Sequence, residues 1–267
     1  MRMPRCVLVK LLVMVILGLL CSAGSVASAT KAKPSIFKAT LEQPRQRTLE
    51  LTTDEFKAFL AGANAVVLDA RPKLEFDIAH IAGSLSVDKT GLLRIVQTLP
   101  SASTAIVVYS NGPFCDWAKR RADELLSMGY TNVSRYQLGL AVWRALGNTA
   151  QTSLDGFRLI LQGNGAVLID ARNRGDYAAG TIAAAESVLV GEVSKAVLDH
   201  RLQYYDHASR IVVFGNSMPQ ARAVADEIAL NGYPNSSFFN GTYQDLKQAK
   251  FFSERKPSPF NLVGLPR

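Results

Sequence analysis

Cys115 stands two residues after Pro113 and just ahead of Trp117, Ala118, Ala122 and Leu125, which recur at helical spacing. Pro113 suits the first position of a helix, so the spacing predicts Cys115 in a first helical turn. Unpaired amides and the helix dipole favour a thiolate there. Lys119, one turn on, supports that charge and Asp116 opposes it. Two readings of the thiol follow. It is a reactive nucleophile held as a thiolate, or a small apolar side chain packed beside Phe114 and Trp117.

The elements that must position this residue are written twice. Residues 52–71 read TTDEFKAFLAGANAVVLDAR and residues 153–172 read SLDGFRLILQGNGAVLIDAR, an offset of 101. The chain is a tandem duplication of one fold. Farther on, IVVY at 106–109 pairs with IVVF at 211–214 at an offset of 105, and Gly129-Tyr130 pairs with Gly232-Tyr233 at 103. The first copy therefore carries two extra residues between that strand and that glycine.

Each copy opens with a capped helix, Thr53 preceding Phe56, Phe59 and Leu60, and Ser153 preceding Phe157, Ile160 and Leu161. Short apolar runs follow at 65–68 and 166–169 and again at 105–108 and 211–214, as strands covered on both faces require. The second helix of copy two repeats the plan of the first with Pro219, Ala221, Val224, Ala225, Ile228 and Gly232. Apolar strands alternating with helices predict an α/β fold, each copy a mainly parallel sheet flanked by helices. Ligands collect beyond the carboxyl ends of such strands, at the loop entering a helix. That places any site at Ser110, Asn111, Gly112, Pro113, Phe114 and Cys115 in copy one. In copy two it falls at Gly215, Asn216 and Ser217.

Residues 1–29 belong to neither copy. Arg2, Arg5 and Lys10 precede an apolar run at 11–20, and Ala27-Ser28-Ala29 offers a small-x-small cleavage pattern. This reads as a secretory signal cut after Ala29, giving an exported, periplasmic protein with no stable membrane span after cleavage. The apolar run is short of the ~20 residues a span needs, and Leu20 is a poor neighbour for a lipoprotein cysteine at Cys21. Cleavage removes Cys6 and Cys21, leaving Cys115 with no internal disulfide partner. Of the net charge of +8, the signal supplies three. Lys31, Lys33, Lys38, Arg45 and Arg47 mark a solvated basic leader over 30–47, and the basic, proline-bearing end at 251–267 is expected as an irregular tail. No aromatic-interleaved basic stripe points to nucleic acid. No metal site or cofactor is expected.

In copy one, Asp69, Arg71, Glu75, Phe76, His80, Ile81 and Gly83 form a D-x-R-x3-E-[YF]-x3-H-I-x-G pattern, and Gly129 to Val133 with Gly139 to Trp143 close the unit. Copy two supplies Asp170, Arg172, Asp176, Tyr177, Gly180, Thr181, Ile182 and Ala184. These motifs resemble the rhodanese, or sulfurtransferase, family in its two-domain form, with domains near 48–147 and 148–250. The resemblance implies that the signature Asp, Arg and His are structural, holding the loop after the strand. It also implies a cysteine at the end of the second apolar strand, cradled by backbone amides, that accepts sulfur as a persulfide.

Ser110 stands at that position in copy one and Gly215 in copy two. A hydroxyl cannot make the sulfur–sulfur bond and glycine has no nucleophile. Ser110, Pro113 and Cys115 look like a longer-loop subgroup, C-x-x-P-x-C, with its first cysteine lost. The resemblance implies a sulfurtransferase or sulfane-sulfur carrier using Cys115, with weak thiosulfate sulfurtransferase activity and a small sulfur-containing anion or protein persulfide as its partner. The alternative is an inactive module that binds an anion or a partner protein through loops 110–114 and 215–217. Cys115 to Arg121 also spells the C-x5-R of cysteine phosphatases. The predicted helix would point Arg121 along its axis and not over an anion.

Overall fold

The computed structural model describes residues 46–62, 66–88, 91–163, 165–202, 206–250, 252, 254 and 255. The expected signal segment, most of the expected basic leader and nearly all of the expected C-terminal tail lie outside them. No helix among the described residues is long and apolar enough to cross a membrane.

In the first repeat, strands β1 (Leu49–Glu50), β2 (Val66–Asp69), β3 (Leu85–Ser86), β4 (Ile106–Tyr109) and β5 (Val133–Tyr136) form one sheet in the order β1-β5-β4-β2-β3. Every neighbouring pair is parallel. Helices α1 (Thr53–Leu60), α2 (Lys73–Ile78), α3 (Gly91–Val96), α4 (Trp117–Ser127) and α5 (Gly139–Ala145) connect and cover it. The second repeat builds the same sheet from β6 (Ala150–Thr152), β7 (Ala166–Asp170), β9 (Glu186–Ser187), β10 (Arg210–Phe214) and β11 (Ser236–Phe239), in the order β6-β11-β10-β7-β9. Its helices are α6 (Leu154–Gln162), α7 (Arg174–Ala179), α8 (Val193–Leu198), α9 (Met218–Leu230) and α10 (Tyr243–Gln248). A short antiparallel pair, β8 (Thr181–Ile182) with β12 (Glu254–Arg255), lies beside it.

The continuous apolar runs are explained by burial on both faces of each sheet. Val107 and Tyr109 point to a cluster with Phe56, Tyr136 and Trp143, while Ile106 and Val108 point to one with Leu92, Ala118, Ala122 and Leu125. The second sheet divides likewise, Val212 and Phe214 against Phe157 and Phe239, Ile211 and Val213 against Val224 and Ile228. Alternate side chains of one strand thus feed two cores.

One local expectation is corrected. The cap of α1 is Thr52, not Thr53; Thr52 and Glu55 form a reciprocal capping box. Thr53 is buried inside the first turn, where its hydroxyl meets that of Tyr136 at 3.0 Å. Ser153 does cap α6, accepting from the Gly156 amide.

The repeats meet where α2 packs on α6. His80 and Gln151 exchange backbone hydrogen bonds, Ser153 N–H donates to Asp77 O at 2.9 Å, and the Thr152 hydroxyl donates to Ile78 O. A Cβ on Gly156 would stand 1.8 Å from Asp77 O, so only glycine lets the two backbones approach this closely.

Candidate functional site

The signature residues form a buried clamp behind the end of β2. Arg71 grips Asp69 through Nε at 3.0 Å and Nη2 at 2.5 Å, and Nη2 also donates to Ala79 O at 2.6 Å. A second donor reaches Asp69 from β4, the Tyr109 hydroxyl at 2.6 Å. Burial first, then the Asp69 charge, pushes the Tyr109 phenol well above its ordinary value, so it stays a donor. That hydroxyl in turn accepts from Ile81 N–H at 2.9 Å. His80 is buried, stacked on Phe76, with Nδ1 2.8 Å from Phe76 O.

Copy two repeats the clamp by other means. Arg172 holds Asp170 and reaches Gly180 O, but Phe214 replaces Tyr109 and has no hydroxyl. Thr181, at the position of His80, donates to Asp170 Oδ2 at 2.7 Å instead. Each buried carboxylate keeps its full set of donors, as a charge out of water requires.

Beyond β4 the chain runs through residues 110–116 before α4 begins at Trp117, whereas β10 is followed only by residues 215–217 before α9 begins at Met218. The two repeats therefore differ in the loop after this strand. Pro113 is not the first residue of a helix, and Cys115 does not lie in a helical turn. Gly112, Pro113, Phe114 and Cys115 make a separate turn closed by Cys115 N–H on Gly112 O at 3.0 Å. In copy two Pro219 does sit in the first turn of α9, with Ser217 as its cap.

The long loop is held from below by Gln137, backed by Arg135 and Glu50, which the sequence reading did not single out, and by the closing motif, which it did. Gln137 Nε2 donates to both Pro113 O, at 3.0 Å, and Cys115 O, at 2.9 Å. Its own oxygen accepts from Arg135, which pairs with Glu50 at 2.6 Å. Burial raises the Glu50 carboxyl against the opposing pull of Arg135, and burial lowers the Arg135 guanidinium. The amides of Leu140 and Ala141 donate to Ser110 O and Asn111 O, both at 3.0 Å. Gly139, at φ +64°, makes this possible; a Cβ there would lie 2.5 Å from Ser110 O and 2.6 Å from Gly112 N. Asn111 reaches across to Glu75 at 3.0 Å. Glu75 in the signature, Asn111 in the loop and Gly139 to Ala141 in the closing motif carried a sequence signal, whereas Gln137 looks like any polar residue after a strand.

Within this frame Ser110 is 1% exposed, and its hydroxyl has no hydrogen-bond partner among the described residues. Cys115 is a free thiol, half-buried, and Phe114 beside it is 66% exposed. The N–H groups of Asn111, Gly112, Phe114 and Asp116 meet no acceptor among the described residues. The loop therefore offers a thiol and unclaimed donors. A cavity of about 440 Å³ opens near the start of α4, walled by Ala70, Pro72, Lys73, Trp117, Arg120 and Arg121 among others. Arg121 is turned along the helix to Glu124, as the helical spacing predicted, which disposes of the phosphatase arrangement.

The short loop of copy two is filled from within. Gln220 Oε1 accepts from Asn216 N–H at 2.8 Å and stands 2.8 Å from where a Cβ of Gly215 would be. Asn216 Nδ2 reaches Asp176, and Ser217 accepts from Gln220 N–H.

The model of the rhodanese-like domain matches the sequence twice, over residues 52–146 and 153–249. The chain belongs to the rhodanese-like family. It has the tandem form, one rhodanese-like domain per sheet. Among solved structures it is similar to a thiosulfate sulfurtransferase from Pseudomonas aeruginosa, with 21% identity over 79% of this chain and 44% of that one, TM-score 0.36. It is also similar to wild-type EanB, with 19% identity over 79% and 62%, TM-score 0.37. A third likeness is to an Anabaena protein, with 25% identity over 37% and 88%, TM-score 0.34. The chain thus spans less than half of the first of these proteins and under two thirds of the second. Curated protein sequences contain no match.

Proposed function

We propose that this rhodanese-like protein is a sulfane-sulfur carrier of sulfurtransferase type, with Cys115 as the carrier and the second domain silent. The observation that carries the proposal is the half-buried Cys115 thiol in a loop whose N–H groups at Asn111, Gly112, Phe114 and Asp116 are unclaimed. In the second domain Gly215 has no nucleophile and Gln220 occupies the corresponding space. The Cys115 thiolate attacks the outer sulfur of thiosulfate. A sulfur–sulfur bond forms to Cys115, the bond to the sulfonate sulfur breaks, and sulfite leaves with the electron pair; the thiol proton has gone to solvent. A thiol acceptor then removes the sulfane sulfur and returns the thiolate. The amides stabilise negative charge at the thiolate and on the incoming anion.

Turnover is weak in this proposal because the buried strand-end position holds Ser110. The signal pattern at 1–29 supports export to the periplasm, where a lone thiol has no disulfide partner within its chain. The unclaimed amides also favour a second reading, an inactive module that binds a small anion or a protein partner through loop 110–114.

The test is the mass of the folded protein after incubation with thiosulfate. A gain of one sulfur on Cys115, absent in Cys115→Ser, is expected, and Ser110→Cys should raise turnover more than Cys115→Ser lowers it. No sulfur gain together with a thiol that a probe cannot reach in the folded state would abandon the carrier in favour of the binding module.

A further inference from the structure

Where the two domains meet beside α9, the packing leaves a cleft of about 550 Å³. That falls within the ~300–1,000 Å³ of small-molecule sites, which favour domain junctions. Its walls come from other elements than the Cys115 loop. Leu60 at the end of α1, Ala82 in the turn ahead of β3 and Trp143 of α5 form the side that belongs to the first domain. Leu230, at the end of α9, faces it from the second. The indole is fixed in place, its Nε1 donating to Thr149 O at 2.9 Å and its ring edge-on to Phe56 with centroids 5.7 Å apart. Leu230 is 77% exposed, so a molecule in the cleft has apolar surface still to cover.

The rim above this wall carries charge. Asp226 is already answered within the protein, because the Thr149 hydroxyl donates to it and Arg222 Nε lies 3.5 Å from its Oδ2. Lys57 has no such answer. Its Nζ lies 5.9 Å from the centroid of the Trp143 ring, and it joins no ion pair or hydrogen bond among the described residues. Two cations, one from each domain, therefore stand against one carboxylate beside an apolar wall.

We propose that this cleft binds a small amphiphilic anion, a carboxylate with an aromatic or branched aliphatic body. The body covers Leu60, Trp143 and Leu230, and the carboxylate takes Lys57, with Arg222 as a second donor across the domain junction. A cation is disfavoured by the net charge of the rim, and an inorganic anion would leave the apolar wall wet. Because the walls belong to both domains, occupancy would stabilise the folded chain by mass action. This does not rest on Cys115 as carrier.

The probe is 4-nitrobenzoate, an aryl carboxylate whose ring quenches tryptophan fluorescence on contact, with 4-nitrobenzamide as its neutral counterpart. The chain has two tryptophans, so in a Trp117→Phe background Trp143 reports alone. Titration of the full chain should give saturable quenching and a rise in Tm, with the neutral amide about tenfold weaker. Lys57→Gln should weaken the carboxylate by about tenfold and leave the amide unchanged. Ala61, exposed at the edge of the cleft, can take a larger side chain without displacing the core, so Ala61→Phe should fill the space and abolish binding of both probes. Quenching that does not saturate, equal affinity for the two probes, or undiminished carboxylate binding in Lys57→Gln overturns the proposal. Sulfur gain at Cys115 is read separately by mass, so neither reading falls with the other.

Discussion

Replacing Gly139 by alanine tests whether the candidate loop is held by close backbone contact. Alanine at φ +64° carries a left-handed penalty of roughly 1–2 kcal/mol. The loss of chain freedom in the unfolded state returns about 0.4–1 kcal/mol of that. The added Cβ would also stand 2.5 Å from Ser110 O and 2.8 Å from Asn111 C, so the loop must lift. The hydrogen bonds from Leu140 and Ala141 to that loop would be lost, at about 1 kcal/mol each. The expected net loss is about 3 kcal/mol, read by urea unfolding as a lower midpoint with unchanged slope. Cys115 should become more reactive to a thiol probe. Gly129 is the control: at φ +93° it has nothing within 4 Å of its Cβ, so Gly129→Ala should show the backbone penalty alone. Equal losses at the two glycines would refute the close-contact argument.

Two further outcomes follow from the clamps and from burial. Tyr109→Phe removes a donor to buried Asp69, and Thr181→Val removes the corresponding donor to Asp170. Each should cost about 1–3 kcal/mol in urea unfolding, and a neutral result at either would show that the carboxylates do not need the second donor. The His80 imidazole is held below its ordinary value of 6.5, chiefly by burial, with its bond to Phe76 O opposing. The unfolded chain therefore binds the proton first, so stability is full above about pH 6.5 and falls as the pH drops towards the folded value. His80→Gln should flatten that part of the Tm–pH profile, and an unchanged profile would reject His80 as its source.

The sequence alone was enough for the duplication, the parallel α/β layers and the rhodanese-like resemblance, because each rests on local pattern. Apolar runs such as IVVY and IVVF encode strands covered on both faces, and the paired Asp-Ala-Arg segments encode the two clamps. It also located the divergence between the repeats, since a change of offset needs no coordinates. The course of the loop was decided only in three dimensions. Pro113 carries a helix-start signal, yet the bonds from Gln137 to Pro113 O and Cys115 O, with Gly139 beneath, draw residues 112–115 into a turn before the helix. Thr53 looked like a cap, but its hydroxyl is taken by Tyr136 from 83 residues away, leaving that role to Thr52. The Tyr109 hydroxyl reaches Asp69 from 40 residues away, and Thr181 takes over that donor's place at Asp170 in the second copy. Propensity and periodicity describe neighbours along the chain, whereas the partners of a buried polar group are whatever the packed sheets bring within hydrogen-bonding distance.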